Sequence, residues 1–340
     1  MTRKLNVAIV GVTGAVGETM LTVLEERNFP IENLFPLASE RSVGKTIKFK
    51  KNELDVLDLA TFDFRDVDIA LFSAGGAVSK EYAPLAAAEG CVVIDNTSCF
   101  RYEADIPLVV PEVNPERIAD YTHRNIIANP NCSTIQMVVA LKPLHDAVGI
   151  SRINVATYQS VSGTGKKAIR ELIEQMGELL NGRPVKSTIY PQQIAFNVLP
   201  HIDEFQDNGY TKEEMKMVWE TQKIFEDDSI LVNPTAVRVP VLYGHSEAIH
   251  VEFKAPISVE KARKLLKKAP GVQLIDDPKK SKYPTVIQHA TGHDDVFVGR
   301  IRQDISHPCG LDMWVVADNV RKGAATNAVQ IAEILQRDYL

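Results

Sequence analysis

The sequence predicts an α/β protein: an N-terminal doubly wound parallel sheet of Rossmann type, followed by an α+β domain with a mixed sheet. Three observations carry that prediction. Strand-like and helix-like patterns alternate over the first 130 residues. A glycine turn, Gly11-Val-Thr-Gly14-Ala-Val-Gly17, joins the first of each. After Pro130 the later strands switch to polar/apolar alternation, the mark of a sheet with one solvated or interface face. The chain of 340 residues is long enough for two domains, each with its own core. The expected division falls near residue 130, between 1–130 and 131–319.

The first strand is the apolar run Leu5–Val10, and Met20, Leu21, Val23 and Leu24 mark the buried face of a helix ending near Arg27. Further strands are expected at Leu34–Ala38, Ile69–Phe72, Val92–Asp95 and Ile126–Ala128, with a helix over Lys80–Glu89. Strands alternating with helices imply right-handed crossovers and a parallel sheet. In the second half a helix over about Thr134–Ala147 leads to a strand, Arg152–Gln159, and a glycine loop, Ser162–Gly165. The next helix carries Ile169, Leu172, Ile173, Met176, Leu179 and Leu180 at helical spacing and stops at Asn181-Gly182. In Glu247–Lys254, Ile249, Val251 and Phe253 share one face and His250 and Glu252 the other. Val296–Arg302 and Leu311–Ala317 read similarly, and Gly323–Arg337 reads as a final helix.

Composition excludes several classes. With 45% hydrophobic and 24% charged residues, the chain is neither disordered nor fibrous. A net charge of −6, from 38 basic and 44 acidic residues without a long like-charge block, argues against nucleic acid as a partner. No apolar run approaches the ~18 residues of a membrane span. The basic start, Met-Thr-Arg-Lys, precedes an apolar run too short for a signal peptide, so a cytoplasmic location is expected. Four cysteines, at 91, 99, 132 and 309, lack metal-ligand spacing, and no metal is expected. Reduced, each is a small apolar filler or a reactive thiol. Cys91, before Val92-Val93-Ile94, reads as core.

Strand, Gly11-x-x-Gly14-x-x-Gly17, helix is the context of a dinucleotide site, where backbone N–H groups approach a pyrophosphate. The spacing differs from G-x-G-x-x-G, so a tight turn without a ligand is the plainer alternative. The residues placed at the cofactor are Gly11, Thr13, Gly14, Ala15 and Val16. About twenty residues on stands Ser39-Glu40-Arg41-Ser42. Glu40 would suit the ribose hydroxyls of NAD, whereas Arg41 and Ser42 suit a 2′-phosphate, and the balance favours NADP.

Cys132, in Asn129-Pro-Asn-Cys-Ser-Thr134, follows a strand and opens a helix at the expected domain junction. Unpaired N–H groups and the helix dipole favour a thiolate there, so the choice lies between a nucleophile and a packing residue. A nucleophile needs a proton partner. Among eight histidines, His245 lies in a loop between two strands, seven residues after Arg238; a solvated loop histidine is the alternative.

Several motifs together resemble aspartate-semialdehyde dehydrogenase. They are Asn129-Pro-Asn-Cys132-Ser-Thr, Gly11-x-Thr-Gly14-x-Val-Gly17, Arg238-Val-Pro-x-x-x-Gly244-His245-Ser246-Glu247, Ser98-Cys-Phe-Arg101, Tyr158-Gln159-Ser160-Val-Ser162-Gly163, Glu213-x-x-Lys216 and Asp318-Asn319-Val-Arg321-Lys322-Gly323. They span essentially the whole chain. The resemblance implies that Cys132 forms an acyl-thioester, that His245 is its acid/base partner, and that Gln159 holds the substrate near the thiol. Arg238 would clamp the substrate α-carboxylate, since a guanidinium fork matches a carboxylate. It gives Glu213 the substrate amino group and places Arg101, Lys216 and Asn131 at the phosphate. Ser162, Gly163 and Asn319 would contact the nicotinamide side of NADP, and Asn319 implies that the C-terminal helix, about 320–340, returns to complete the first domain.

The plainer readings are a surface ion pair for Glu213 and Lys216, with Glu214 completing a T-x-x-E capping box on Thr211, and a surface strand arginine for Arg238. The implied reaction interconverts L-aspartate 4-semialdehyde and 4-phospho-L-aspartate with inorganic phosphate and NADP, in lysine, threonine and methionine synthesis. The implied assembly is a homodimer or homotetramer built through the second, catalytic and dimerisation, domain. The rivals are N-acetyl-glutamyl-phosphate reductase and a non-catalytic NADP-binding sensor.

Overall fold

In the computed structural model, which describes residues 3–340, the chain divides into two units. One runs up to Asn131 and is joined by Ala324–Leu340; the other is Cys132–Gly323. Met1 and Thr2, which open the basic flank considered above, lie outside the described residues.

The first unit contains β1 (Leu5–Val10), α1 (Ala15–Glu26), β2 (Ile31–Ala38), β3 (Thr46–Phe49), β4 (Asn52–Asp55), β5 (Leu57–Asp58), β6 (Ile69–Phe72), α2 (Gly76–Ala88), β7 (Val92–Asp95) and β8 (Ile126–Ala128). Its main sheet has the order β5-β2-β1-β6-β7-β8. All its pairings are parallel, as expected of the doubly wound fold. The strands near its centre, β1, β6 and β7, are almost wholly buried, which is why they read as unbroken apolar runs.

The β1–α1 turn depends on its glycines. Gly11 has φ 88°, and a Cβ there would lie 2.8 Å from the Ser73 carbonyl oxygen; a Cβ at Gly17 would collide with the carbonyl of Gly11. Met20, Leu21, Val23 and Leu24 are buried on α1, as their spacing predicts. The small β3–β4 hairpin, with its charged Lys48 and Glu53, escapes a reading based on apolar runs.

The second unit contains α3 (Cys132–Val148), β9 (Ile150–Gln159), α4 (Lys166–Leu180), α5 (Lys212–Phe225), β10 (Leu231–Arg238), β11 (His245–Phe253), α6 (Val259–Leu266), β12 (Val272–Leu274), β13 (Val296–Gln303) and β14 (Gly310–Ala317). Its sheet has the order β10-β9-β11-β14-β13-β12. Parallel pairs at both ends flank three antiparallel pairings, so the mixed sheet is as predicted. On β11, Ile249, Val251 and Phe253 are buried, while His250 and Glu252 lie on the less buried face. The chain then returns to the first unit as α7 (Thr326–Asp338), which packs beside α1 and is tied to it by Arg27 and Glu333, paired at 2.8 and 2.7 Å.

Several boundaries differ from expectation. Helix α2 begins at Gly76 rather than Lys80, because two glycines mask its start. Helix α3 begins at Cys132 itself, and α7 at Thr326 after a wide turn over Arg321–Ala325. His245 is a correction: it is the first residue of β11, paired with Ala317, and not a loop residue. No helix among the described residues is long and apolar enough to cross a membrane.

Candidate active site

Cys132 is the first residue of α3, where backbone N–H groups have no intrahelical carbonyl to meet. Its Sγ lies 3.2 Å from His245 Nε2. Gly323 packs directly behind it: a Cβ there would stand 2.9 Å from Cys132 Cβ. His245 is completely buried. Its Nδ1 accepts a hydrogen bond from the Ser160 backbone N–H at 3.1 Å, with Ser160 Oγ at 3.2 Å. The direction of a backbone N–H is fixed by its peptide plane, so this contact assigns the tautomer. The proton of the neutral ring sits on Nε2 and faces the sulfur. Burial, and then the positive charge of Arg238, hold the ring's pKa down to about 3 against the opposing pull of Glu213. His245 is therefore neutral at ordinary pH.

A buried polar chain leads away from this pair. Gln159 Oε1 accepts from Thr157 Oγ1 at 3.0 Å, and its Nε2 donates to Glu213 Oε1 at 3.0 Å, 3.4 Å from His245 Nε2. Glu213 Oε2 accepts from Lys216 Nζ at 2.9 Å, and Lys216 also donates to Asp203 Oδ2 at 2.8 Å. Burial opposes the Lys216 charge, but the two carboxylates more than offset it and raise its pKa. Both residues are presented by α5, whose first turn is fixed by the expected capping box. Thr211 Oγ1 accepts from the Glu214 N–H, and Glu214 returns the contact to the Thr211 N–H.

Arg238 ends β10 and is 5% exposed. It donates from Nη1 to the Ser160 carbonyl at 2.7 Å, while its Nε has no acceptor among the described residues. No carboxylate among the described residues pairs with it. A buried guanidinium cannot shed its charge, so an unfilled fork is a ready carboxylate receptor. Gly163 lies against it: a Cβ there would stand 3.2 Å from Arg238 Nη1 and 3.6 Å from the His245 ring. Asn319 Oδ1 accepts from Ser160 Oγ, Ser162 Oγ and the Gly244 N–H, at 3.0, 3.0 and 2.9 Å. Ser160, Thr157 and Asp203 have no assigned role in the sequence reading, because only chain closure brings them here.

The remaining candidates lie in the first unit. Gly14 caps α1 without a side-chain hydrogen bond, leaving the N–H groups of Ala15 and Val16 at an uncapped helix start after Thr13. Arg41 is exposed and Ser42 partly buried in a short turn after β2. Arg101 is buried and donates from Nη2 to the Asn96 carbonyl at 3.0 Å. Asn131, also buried, directly precedes Cys132. Of the other cysteines, Cys91 is fully buried and its thiol is pushed up by burial; Cys99 and Cys309 are partly exposed.

Fold and site together are of the semialdehyde dehydrogenase class, and two family models match accordingly. "Semialdehyde dehydrogenase, NAD binding domain" covers residues 6–121, and "Semialdehyde dehydrogenase, dimerisation domain" covers 141–322. Within that class several similar proteins share one name. The aspartate-semialdehyde dehydrogenase of Legionella pneumophila is 76% identical over 340 residues, covering 100% of this chain and 98% of its own. The crystal structure of aspartate semialdehyde dehydrogenase II from Vibrio cholerae, complexed with ASA, superposes with a TM-score of 0.98 at 63% identity and full coverage of both chains. The Candida albicans enzyme, solved with NADP, gives a TM-score of 0.74 at 26% identity, covering 98% of this chain and 99% of its own. The chain belongs to the aspartate-semialdehyde dehydrogenase family.

Proposed function

We propose that the protein interconverts L-aspartate 4-semialdehyde and 4-phospho-L-aspartate with phosphate and NADP, through a thioester on Cys132. The observation that carries this reading is the Cys132–His245 pair at the start of α3, 3.2 Å apart. In the oxidative direction the Cys132 thiolate attacks the aldehyde carbon and a C–S bond forms. The aldehyde oxygen becomes an oxyanion and accepts the Nε2 proton of His245 as a hydrogen bond. Arg238 receives the α-carboxylate in its unfilled fork, Glu213 receives the amino group, and Gln159 holds the substrate near the thiol. The carbonyl re-forms as the C–H bond of the former aldehyde carbon breaks and its hydride leaves, for which bound NADP would be the acceptor. The substrate is then held as a thioester. A phosphate oxygen, bound by Arg101, Lys216 and Asn131, attacks it and the thiolate leaves.

The uncapped start of α1 and the close-packed Gly11 and Gly17 fit a pyrophosphate, and exposed Arg41 with Ser42 fits a 2′-phosphate. The bound cofactor supplies the hydride acceptor. Asn319 Nδ2 makes no hydrogen bond among the described residues, and this supports its placement, with Ser162 and Gly163, at the carboxamide of the nicotinamide.

The active form is a cytoplasmic homodimer built through the second unit. The face of its sheet opposite α3 supports this, since it carries the exposed Tyr158 beside the half-buried Trp314, rings 5.6 Å apart. The test of the activity is phosphate-dependent NADP reduction, comparing aspartate semialdehyde with N-acetylglutamate semialdehyde. Turnover of the first alone is expected; turnover of the second alone would overturn the assignment.

A further inference from the structure

The stretch between α4 and α5 has no regular secondary structure near residues 186–199, yet it is fastened with unusual care. Glu171 on α4, 6% exposed, accepts from the Thr188 and Ile189 N–H groups at 2.7 and 2.8 Å, from the Thr188 hydroxyl, and from the Tyr190 N–H at 3.4 Å. One turn further along α4, Gln175 donates to the Lys186 carbonyl at 3.0 Å and accepts from the Ile194 and Ala195 N–H groups, both at 3.1 Å. An i, i+4 pair of buried polar side chains thus replaces the ladder that a strand or helix would supply. Tyr190, Ile194, Ala195 and Leu199 close a small core with Ala168 and Leu172 of α4. Burial raises the Glu171 carboxyl, but its four hydrogen bonds outweigh that and lower its pKa overall, so it is charged at neutral pH.

This segment ends on Arg238 twice. Leu199 exchanges both backbone hydrogen bonds with Arg238, at 2.9 and 2.8 Å, and the Tyr190 ring lies under its guanidinium, 5.9 Å from centroid to Cζ. The Tyr190 hydroxyl is turned away, to Thr164 Oγ1 at 3.0 Å. A buried arginine ordinarily requires a counter-ion. A carboxylate in that role would fill the fork and exclude a substrate carboxylate. The π face of a tyrosine supplies partial negative charge without offering an acceptor to the fork.

We infer that Tyr190 is a positioning residue which, with the segment fastened to α4, holds and partly neutralises Arg238 while leaving its fork open, and so sets the preference for substrates that carry a carboxylate. The inference rests on the reading of Arg238 as the carboxylate receptor. The test compares Tyr190→Phe, Tyr190→Leu and Arg238→Ala with aspartate semialdehyde and with aminopropanal, which lacks the carboxylate. Tyr190→Phe should stay within about twofold of the parent, because the ring remains. Tyr190→Leu should raise KM for aspartate semialdehyde about tenfold, between the sizes expected for an exposed and a fully desolvated cation–π contact. Its kcat, its phosphate KM and its kcat/KM for aminopropanal should change little. A general packing defect would lower both substrates together, and an unchanged ratio between them would overturn the inference.

Arg238→Ala is the control on the underlying reading. If it leaves the ratio unchanged, the carboxylate assignment itself is wrong. If it abolishes the preference while Tyr190→Leu does not, only the role of Tyr190 falls. Should Tyr190→Leu fail to fold, Glu171→Gln loosens the same segment without touching the ring, and the same narrowing of the ratio is required of it.

Discussion

His245 has one proton to offer, and Ser160 decides where it sits. With Nδ1 occupied by a backbone N–H, the neutral ring presents Nε2–H to Cys132, which favours a thiolate beside it and then an oxyanion. Because the ring's pKa is held down to about 3, its charge does not change between pH 5 and 9. The alkylation rate of Cys132 should therefore follow a single titration over that range, that of the thiol. His245→Gln, which keeps an N–H donor, should retain far more turnover than His245→Ala. The latter should lose on the order of 100-fold or more and shift the alkylation profile to higher pH. Equal loss in both variants would show that the donor is not what matters. Cys132 is legible in the sequence as a nucleophile candidate because it opens a helix, whereas His245 and Arg238 stand out only through the motifs that resemble the family. Ser160 and Tyr190 are not legible, since their roles depend on contacts closed 85 and 48 residues away in the chain.

Helix α5 delivers Glu213 and Lys216 together, three residues apart on one face, and its T-x-x-E start was readable because a capping box is a purely local device. What lies opposite that face was not readable. Asp203 comes from the preceding loop, and its pairing with Lys216 keeps the ammonium charged despite burial. Lys216→Met should therefore raise the phosphate KM while the first turnover of hydride release, measured before phosphate attack, is changed much less. A variant with normal phosphate saturation would return Lys216 to a purely structural ion pair. Strand β10 shows the opposite limit of pattern reading. Pro234 interrupts it, and a proline is tolerated there because β10 is the edge of its sheet. The placement of His245 in a loop failed for a related reason: Gly244, at φ 84°, signals a turn, but the turn ends one residue before the ring.

For the whole molecule, two buried titratable groups act on stability from opposite sides of the pH scale. His245 has a lowered pKa in the folded state, so the unfolded chain binds more protons, and stability falls as pH drops from about 6.5 toward 3. Glu247, two residues along β11, is fully buried, and burial raises its pKa well above the usual carboxyl range. The Gln136 amide on α3 faces it and opposes that rise, but neither carboxyl oxygen forms a hydrogen bond among the described residues. The folded form thus keeps a proton that the unfolded chain releases, and stability falls as pH rises above about 4.3. Glu247→Gln should raise the melting temperature more at pH 8 than at pH 5; an equal gain at both would mean that the carboxyl is not held protonated. The parallel order of the first sheet and the mixed second sheet follow from strand patterning, whereas the short strands β3, β4, β5 and β12 interleave polar residues and form no apolar run.

The measurement that tests the mechanism most directly is trapping of the acyl group. The enzyme is mixed with aspartate semialdehyde and NADP in the absence of phosphate, quenched in acid, digested and analysed by mass spectrometry. The aspartyl mass is predicted on the peptide containing Cys132, to be released when phosphate is added before the quench, and to be absent from Cys132→Ser. An acyl group on Cys91, Cys99 or Cys309, or phosphate-dependent turnover persisting near normal in Cys132→Ser, would contradict the thioester mechanism.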